Sequence, residues 1–297
     1  DRNKELEEVS SDEPGNKHHK QFLERWWLLS WPRPELIKLI SELPRYIVCV
    51  RVTKRPIFEF VSSDIRPSDA LAVFPTADDY SFGILQSGVH WEWFNARCSS
   101  FKRDPRYTSD TVFDTFPWPQ FPEWSSVRHE LAQTSSSVST KCGPGENESG
   151  IMSAATSAIE KIRGVVGAAR ALRQLRKEIM DANGWSLRQL YRTLDTPGAN
   201  RLRDAHAALD TAVRAVYGMK PEEEILAFLL KLNLELADKE AKNEPITPPG
   251  LPAFVSEPQA FASGDCVRAP GDDDSTAQSY GDSAHYYAVK EKYEPHH

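Results

Sequence analysis

The sequence predicts an α/β (α+β) domain followed by a mainly α-helical domain, with disordered segments at both termini. Three observations predict this fold class. Short runs of β-branched and aromatic residues lie between residues 46 and 74, which is typical of strands. Apolar residues recur at helical spacing between residues 159 and 236, which indicates packed helices. Both ends of the chain are polar and lack any apolar period, as disordered segments do.

Composition places the boundaries between these parts. A stretch rich in Ser, Thr and Gly separates the two domains and is typical of a linker. The predicted parts are a disordered segment at 1–20, the α/β domain at 21–130, the linker at 131–152, the helical domain at 153–252 and an acidic disordered tail at 253–297.

Bulk properties limit the class of protein. Of the 297 residues, 40% are hydrophobic and 27% are charged, as in soluble globular proteins. No apolar run is long enough to cross a bilayer, and the polar start is not a signal peptide, so we expect a cytoplasmic protein without a membrane partner. The start without Met also suggests the C-terminal portion of a longer protein. The net charge of -7 argues against a nucleic-acid partner, but much of the acid lies at the ends and residues 161–220 are basic.

Within the α/β domain, prolines divide residues 22–43 into two short predicted helices. Tyr46–Val52 and Ile57–Val61 are predicted to form a hairpin with a basic turn. Further strands are predicted at Ala70–Phe74 and Phe82–Leu85, and a helix is predicted from Ser87 to Arg97.

The helical domain contains four predicted helices. The first carries an apolar stripe from Ile159 to Ile179 and ends at Asn183-Gly184. The others are predicted at Leu187–Leu194, Leu202–Tyr217 and Glu222–Lys242, the last with acidic residues at its start, where they favour the helix dipole.

The sequence lacks the motifs of common catalytic sites. There is no Gly-x-Ser-x-Gly, no Cys with a nearby His and no His-Glu-x-x-His. The four cysteines are scattered, which does not fit a zinc or redox site. The histidine pairs at 18–19 and 296–297 lie in predicted disordered ends. We therefore predict no catalytic residue, no metal and no cofactor in this chain.

The first helix of the helical domain and the segment after it carry a basic face. Two interpretations are open: the face follows a phosphate backbone, or it is simply solvated. Its residues are Arg163, Arg170, Arg173, Arg176, Lys177 and Arg188.

The stretch from Phe101 to Gln120 combines charged residues with a rigid apolar cluster. Its charged residues are Lys102, Arg103, Asp104 and Arg106, and its aromatic residues include Phe113, Phe116 and Trp118. One interpretation is that the aromatic residues anchor the loop in the core so that the polar residues contact DNA. The alternative is an ordinary charged loop pinned by a buried Trp.

Four segments resemble the C-terminal half of the MmeI-like DNA methyltransferases, which are class I S-adenosylmethionine-dependent enzymes of restriction-modification systems. The segments are PRYIVCVRVTKRPIFEFV, DYSFGILQSGVHWEWFNARC, RYTSDTVFDTFPWPQ and LRQLRKEIMDANGWSLRQLYRTLDTPGANRLRDAHAALDTAVRAVYGM. The resemblance covers about residues 22–252, and its FPWP motif is quite specific. It implies that the α/β domain is a target-recognition domain that is followed by a helical domain.

The resemblance also implies a function. Family members methylate adenine N6 after flipping the base towards an Asn-Pro-Pro-aromatic motif, which this chain lacks together with the glycine-rich cofactor loop. The chain is therefore expected to recognise double-stranded DNA, and an upstream methyltransferase domain would bind S-adenosylmethionine. The implied base readers are Lys102, Asp104 and Arg106, and the predicted DNA-backbone contacts are Lys54, Arg55 and Arg103. The alternative is a non-catalytic helical interaction protein or a decayed methyltransferase fragment.

Overall fold

The computed structural model describes residues 33–101, 104–121, 146–255 and 257–268, without the side chains of residues 101 and 146–155. The chain divides into two compact units, Asp1–Glu42 and Leu43–His297. The described part of the first unit is helix α1, Pro34–Ser41. It confirms the second of the two short predicted helices, and the first lies outside the described residues.

The second unit begins with a three-stranded antiparallel sheet. Its strands are β1 (Arg45–Val50), β2 (Glu59–Ser62) and β3 (Leu71–Phe74), in the order β2-β1-β3. Ile47 of β1 lies opposite both Phe60 and Phe74, and all three side chains are buried. The predicted hairpin and the predicted strand at Ala70–Phe74 are confirmed.

Two helices follow the sheet. Helix α2 spans Asp79–Gln86 and helix α3 spans Gly88–Arg97. The prediction of a strand at Phe82–Leu85 is wrong, because these residues lie within α2. The Asp78 carboxylate accepts a hydrogen bond from the Ser81 N–H at 2.7 Å, which caps the helix. Since every residue of α2 is buried, its sequence shows no polar face that would indicate a helix.

A second hairpin connects α3 to the aromatic cluster. Its strands are β4 (Ser99–Phe101) and β5 (Asp104–Arg106), and they pair in antiparallel orientation. A short π-helix at Ser109–Phe113 follows. Phe116 and Trp118 are buried, which confirms that they anchor this stretch in the core.

The four predicted helices of the C-terminal part are confirmed. They are α4 (Glu146–Asn183), α5 (Leu187–Arg192), α6 (Arg201–Tyr217) and α7 (Ile225–Ala241). Helix α4 begins in the stretch assigned to the linker, before the first residue of its apolar stripe. No helix among the described residues is long and apolar enough to cross a membrane.

The described residues after α7 include a packed segment, which we call the C-terminal strap (residues 257–268). Phe261 of the strap is buried. The Val267 N–H donates to the Phe60 carbonyl at 2.8 Å, and the Ser62 N–H donates to the Val267 carbonyl at 2.9 Å. The strap therefore extends the sheet beside β2, and the chain is not disordered from residue 253 as predicted. Residues 269–297 lie outside the described residues.

Candidate functional site

Two of the three predicted base readers, Asp104 and Arg106, lie on strand β5 of the β4–β5 hairpin. Ser99 pairs with Arg106 and Phe101 pairs with Asp104. The Asp104 side chain is exposed and the Arg106 side chain is half-buried. Lys102 and Arg103 lie outside the described residues. The hairpin thus presents a carboxylate and a guanidinium two residues apart, on the same face of β5.

The hairpin is docked on the continuation of β1. Val52 forms an antiparallel bridge with Arg106. The Thr53 N–H donates to the Pro105 carbonyl at 3.0 Å, and the Tyr107 N–H donates to the Arg51 carbonyl at 2.6 Å. Because the hairpin shares hydrogen bonds with the sheet, its position is fixed by the domain core rather than by its own short strands.

The same docking brings the predicted DNA-backbone residues beside the hairpin. Lys54 and Arg55 directly follow Thr53, and the Lys54 side chain is exposed. The Thr53 hydroxyl donates to the Arg55 carbonyl at 2.8 Å. The Arg55 guanidinium lies 4.5 Å from the centre of the Trp91 ring, which holds it against α3 through a cation–π contact. Lys54 is thus the freer of the two cations to meet an anionic partner.

A buried aromatic layer supports the end of the hairpin. The Tyr107 side chain is buried, and its ring stacks on Phe94 with the ring centres 5.7 Å apart. Its hydroxyl lies 3.1 Å from Nε2 of the buried His90. Burial raises the pKa of Tyr107 and lowers the pKa of His90 to about 3. Both groups are therefore neutral at physiological pH, and they support the hairpin without adding charge beneath it.

Three arginines of the predicted basic face have neither of the roles considered for them. Arg170 and Arg173 form ion pairs with the buried Asp79 at 2.8 and 3.1 Å. Arg176 is buried, and its guanidinium donates to the Phe58 carbonyl at 3.0 Å and to the Tyr191 hydroxyl. These three arginines are structural, because they are fixed by internal partners. The remaining three, Arg163, Lys177 and Arg188, are exposed.

The described residues offer little for other chemistry. Within the ranges that the structure describes, no three His, Cys, Asp or Glu side chains are grouped so as to hold a metal ion. Cys49, Cys98 and Cys266 are free thiols. The hairpin and the adjoining Lys54 loop can form hydrogen bonds and ion pairs with a partner, which is the chemistry of recognition.

A comparison with protein-family models points to the same region. Residues 53–120 match the family model of the MmeI target recognition domain. This match confirms the resemblance to the MmeI family for a segment that contains all six predicted contact residues. Among solved structures, the chain is similar to the Type IIL restriction-modification enzyme MmeI in complex with DNA, with 22% identity and a TM-score of 0.47. That similarity covers 65% of this chain and 21% of that chain. No curated protein matches the sequence.

Proposed function

We propose that this chain reads the DNA sequence for a site-specific adenine-N6 methyltransferase of a restriction-modification system in the cytoplasm. The β4–β5 hairpin inserts into the major groove of double-stranded DNA. A methyltransferase domain upstream of this chain binds S-adenosylmethionine and carries out the transfer. The chain itself contributes no catalytic residue.

One observation carries the proposal: the segment that matches a target recognition domain presents Asp104 and Arg106 on a hairpin fixed to the sheet. Sequence readout needs polar side chains held in defined positions at the base edges. The bridge to Val52 and the buried Tyr107 provide such a support.

The residue types fit the edges of a G·C pair. Lys102 or Arg106 can donate to the O6 and N7 acceptors of guanine, and Asp104 can accept from the amino group of cytosine. Lys54, Arg55 and Arg103 would contact phosphates, which positions the hairpin on the duplex without adding sequence information.

A charge exchange tests the assignment of the readers. The full chain with Lys102→Glu and Asp104→Arg is used to select duplexes from a randomised pool, in parallel with the unchanged chain. The preferred base pair should change at one position, because residue 102 changes from a hydrogen-bond donor to an acceptor and residue 104 changes from an acceptor to a donor. The matched control, Lys220→Glu with Asp195→Arg, exchanges exposed residues outside the hairpin and should leave the preference as it was.

Two results would count against the proposal. An unchanged preference in the exchanged variant would remove the reader assignment. Absence of DNA binding even at low salt, where phosphate contacts are strongest, would favour the non-catalytic interaction protein. Methyl transfer to adenine N6, measured with S-adenosylmethionine on a protein in which this chain is joined to the proposed methyltransferase domain, tests the enzyme class separately.

A further inference from the structure

Two valine side chains are unusually exposed, one at the last residue of β1 and one two residues beyond it. Val50 is 47% exposed and Val52 is 40% exposed. Tyr46 and Val48, which lie on the same face of the strand, are buried. The packing that buries this face therefore ends before Val50, and the apolar surface beyond that point is exposed to solvent.

The two valines share their face with the proposed readers. The Thr53–Pro105 and Tyr107–Arg51 hydrogen bonds flank the Val52–Arg106 pair. This is the non-hydrogen-bonded arrangement, in which the paired side chains approach each other most closely. Asp104 lies two residues from Arg106 and so points to the same side. An aliphatic patch thus adjoins a guanidinium and a carboxylate on one surface.

The open patch is neither a free sheet edge nor large enough for a protein interface. At this point β1 is paired on both sides, since the Arg51 N–H donates to the Ala70 carbonyl at 2.9 Å and Val52 bridges to β5. A specific protein interface buries about 1,200–2,000 Å², whereas two half-exposed valines offer only a small fraction of that. Their size and polar surroundings fit one small apolar group beside hydrogen-bonding atoms.

The C5-methyl group of thymine has this character. It projects into the major groove next to the O4 acceptor of the same base, and apolar side chains are its usual contacts. We infer that Val52, together with Val50, contacts the methyl group of a thymine that neighbours the base pair read by Asp104. This inference rests on the proposed function, because it requires the hairpin to lie in the major groove.

The test removes the methyl group from the DNA and the contact from the protein. The preferred duplex of the full chain is first selected from a randomised pool. Each thymine in it is then replaced singly by deoxyuridine, which lacks only the methyl group. At one position the affinity should fall about fourfold, the effect expected for one buried methyl group. With Val52→Ala, this difference between thymine and deoxyuridine should shrink or vanish.

The controls separate this inference from the proposed function. Leu234→Ala truncates an exposed aliphatic side chain on α7 and should retain the discrimination. Thermal unfolding of Val52→Ala checks that the fold is kept, and Val50→Ala shows how the contact is shared. A preferred site that lacks thymine, or thymines that are all replaceable without loss, would overturn the valine contact alone. The same holds if discrimination persists in both valine variants. Binding without any sequence preference would overturn the proposed function as well.

Discussion

At the scale of single residues, the buried Asp79 organises much of the second unit. Its carboxylate is fully buried and pairs with Arg45, Arg170 and Arg173. The Ser263 N–H of the C-terminal strap donates to the same carboxylate at 2.9 Å. Three arginines carry more positive charge than one carboxylate can balance. Arg45 and Arg173 also donate hydrogen bonds to the carbonyl of Asp265. One carboxylate thus joins the sheet, α2, α4 and the strap.

Removal of this carboxylate should be costly. Asp79→Asn leaves the buried Arg45 without its ionic partner, and loss of one member of a buried ion pair costs about 3–5 kcal/mol. Urea unfolding measures this loss of unfolding free energy. Asp69→Asn is the matched control, since the Asp69 side chain is 88% exposed in its pair with Arg51 and such pairs contribute about 1 kcal/mol or less. Equal losses in the two variants would contradict the central role of Asp79.

Two histidines should make stability depend on pH. Burial lowers the pKa of His206 to about 3, with smaller contributions from Arg176 and Arg55, and burial lowers the pKa of His90 to about 3. Histidine in the unfolded chain titrates near a pKa of about 6.5, so the unfolded chain binds more protons below that pH. The stabilisation is therefore complete above about pH 6.5 and falls as the pH decreases towards 3, by up to about 1.4 kcal/mol per pH unit for each histidine.

The comparison of unfolding free energies at pH 7.5 and pH 5.5 tests this dependence. His206→Gln should show a smaller loss on acidification than the unchanged chain. The half-buried Asp210, whose pKa is raised by desolvation, acts in the opposite direction but is present in both proteins. An equal loss in both would mean that His206 is not held neutral in the folded state.

At the scale of elements, the strands that the sequence predicts well are those with several β-branched residues in a row. Strand β1 has such a run, whereas β4 and β5 have three residues each, too few for a period to emerge. They are ordered by their bridge to Val52, a contact between residues far apart in the sequence. Helix α2 was missed for a related reason, because full burial removed its polar face. Local pattern therefore predicts the supporting elements but not the hairpin that carries the candidate site.

The loop between β1 and β2 provides a test of phosphate contact at this scale. Lys54→Gln should weaken binding to all duplex sequences about equally and reduce the slope of log affinity against log salt by about 0.9. The loop itself should remain in place, because Arg55 is held by Trp91. Lys220→Gln removes an exposed lysine elsewhere and should leave the slope unchanged. A change in sequence preference with Lys54→Gln would instead make Lys54 a base reader.

At the scale of the whole molecule, the sequence indicates two kinds of structure but not how closely they are joined. One hydrophobic cluster contains residues of the sheet, of α2, of α4 and of α6, among them Phe60, Phe82, Val165 and Leu209. Arg170 and Arg173 were predicted to belong to a face that contacts phosphates or is solvated, because their partner Asp79 is about 90 residues away in the sequence. No local signal marks a partner at that distance. The helical part is thus a support for the sheet that positions the candidate hairpin.

Gly83 of α2 tests how tightly the two parts fit. A Cβ atom at this position would lie 2.5 Å from Cγ1 of Val165 and 3.4 Å from the Ala169 side chain, both on α4. Val165 is fully buried and β-branched, so it has little freedom to move away. Overpacking of this kind costs about 1–3 kcal/mol, which exceeds the gain of about 0.5–1 kcal/mol from replacing a helical glycine by alanine.

Gly164→Ala is the matched control, because it lies in α4 with nothing within 4 Å of the added Cβ atom. It should stabilise the chain by about 0.5–1 kcal/mol, whereas Gly83→Ala should destabilise it, and urea unfolding measures both. If the fit between α2 and α4 also positions the hairpin, Gly83→Ala should weaken DNA binding while Gly164→Ala leaves it intact. Equal stabilisation by the two alanines would show that α2 and α4 can separate without loss, and the helical part would then not serve as a rigid support.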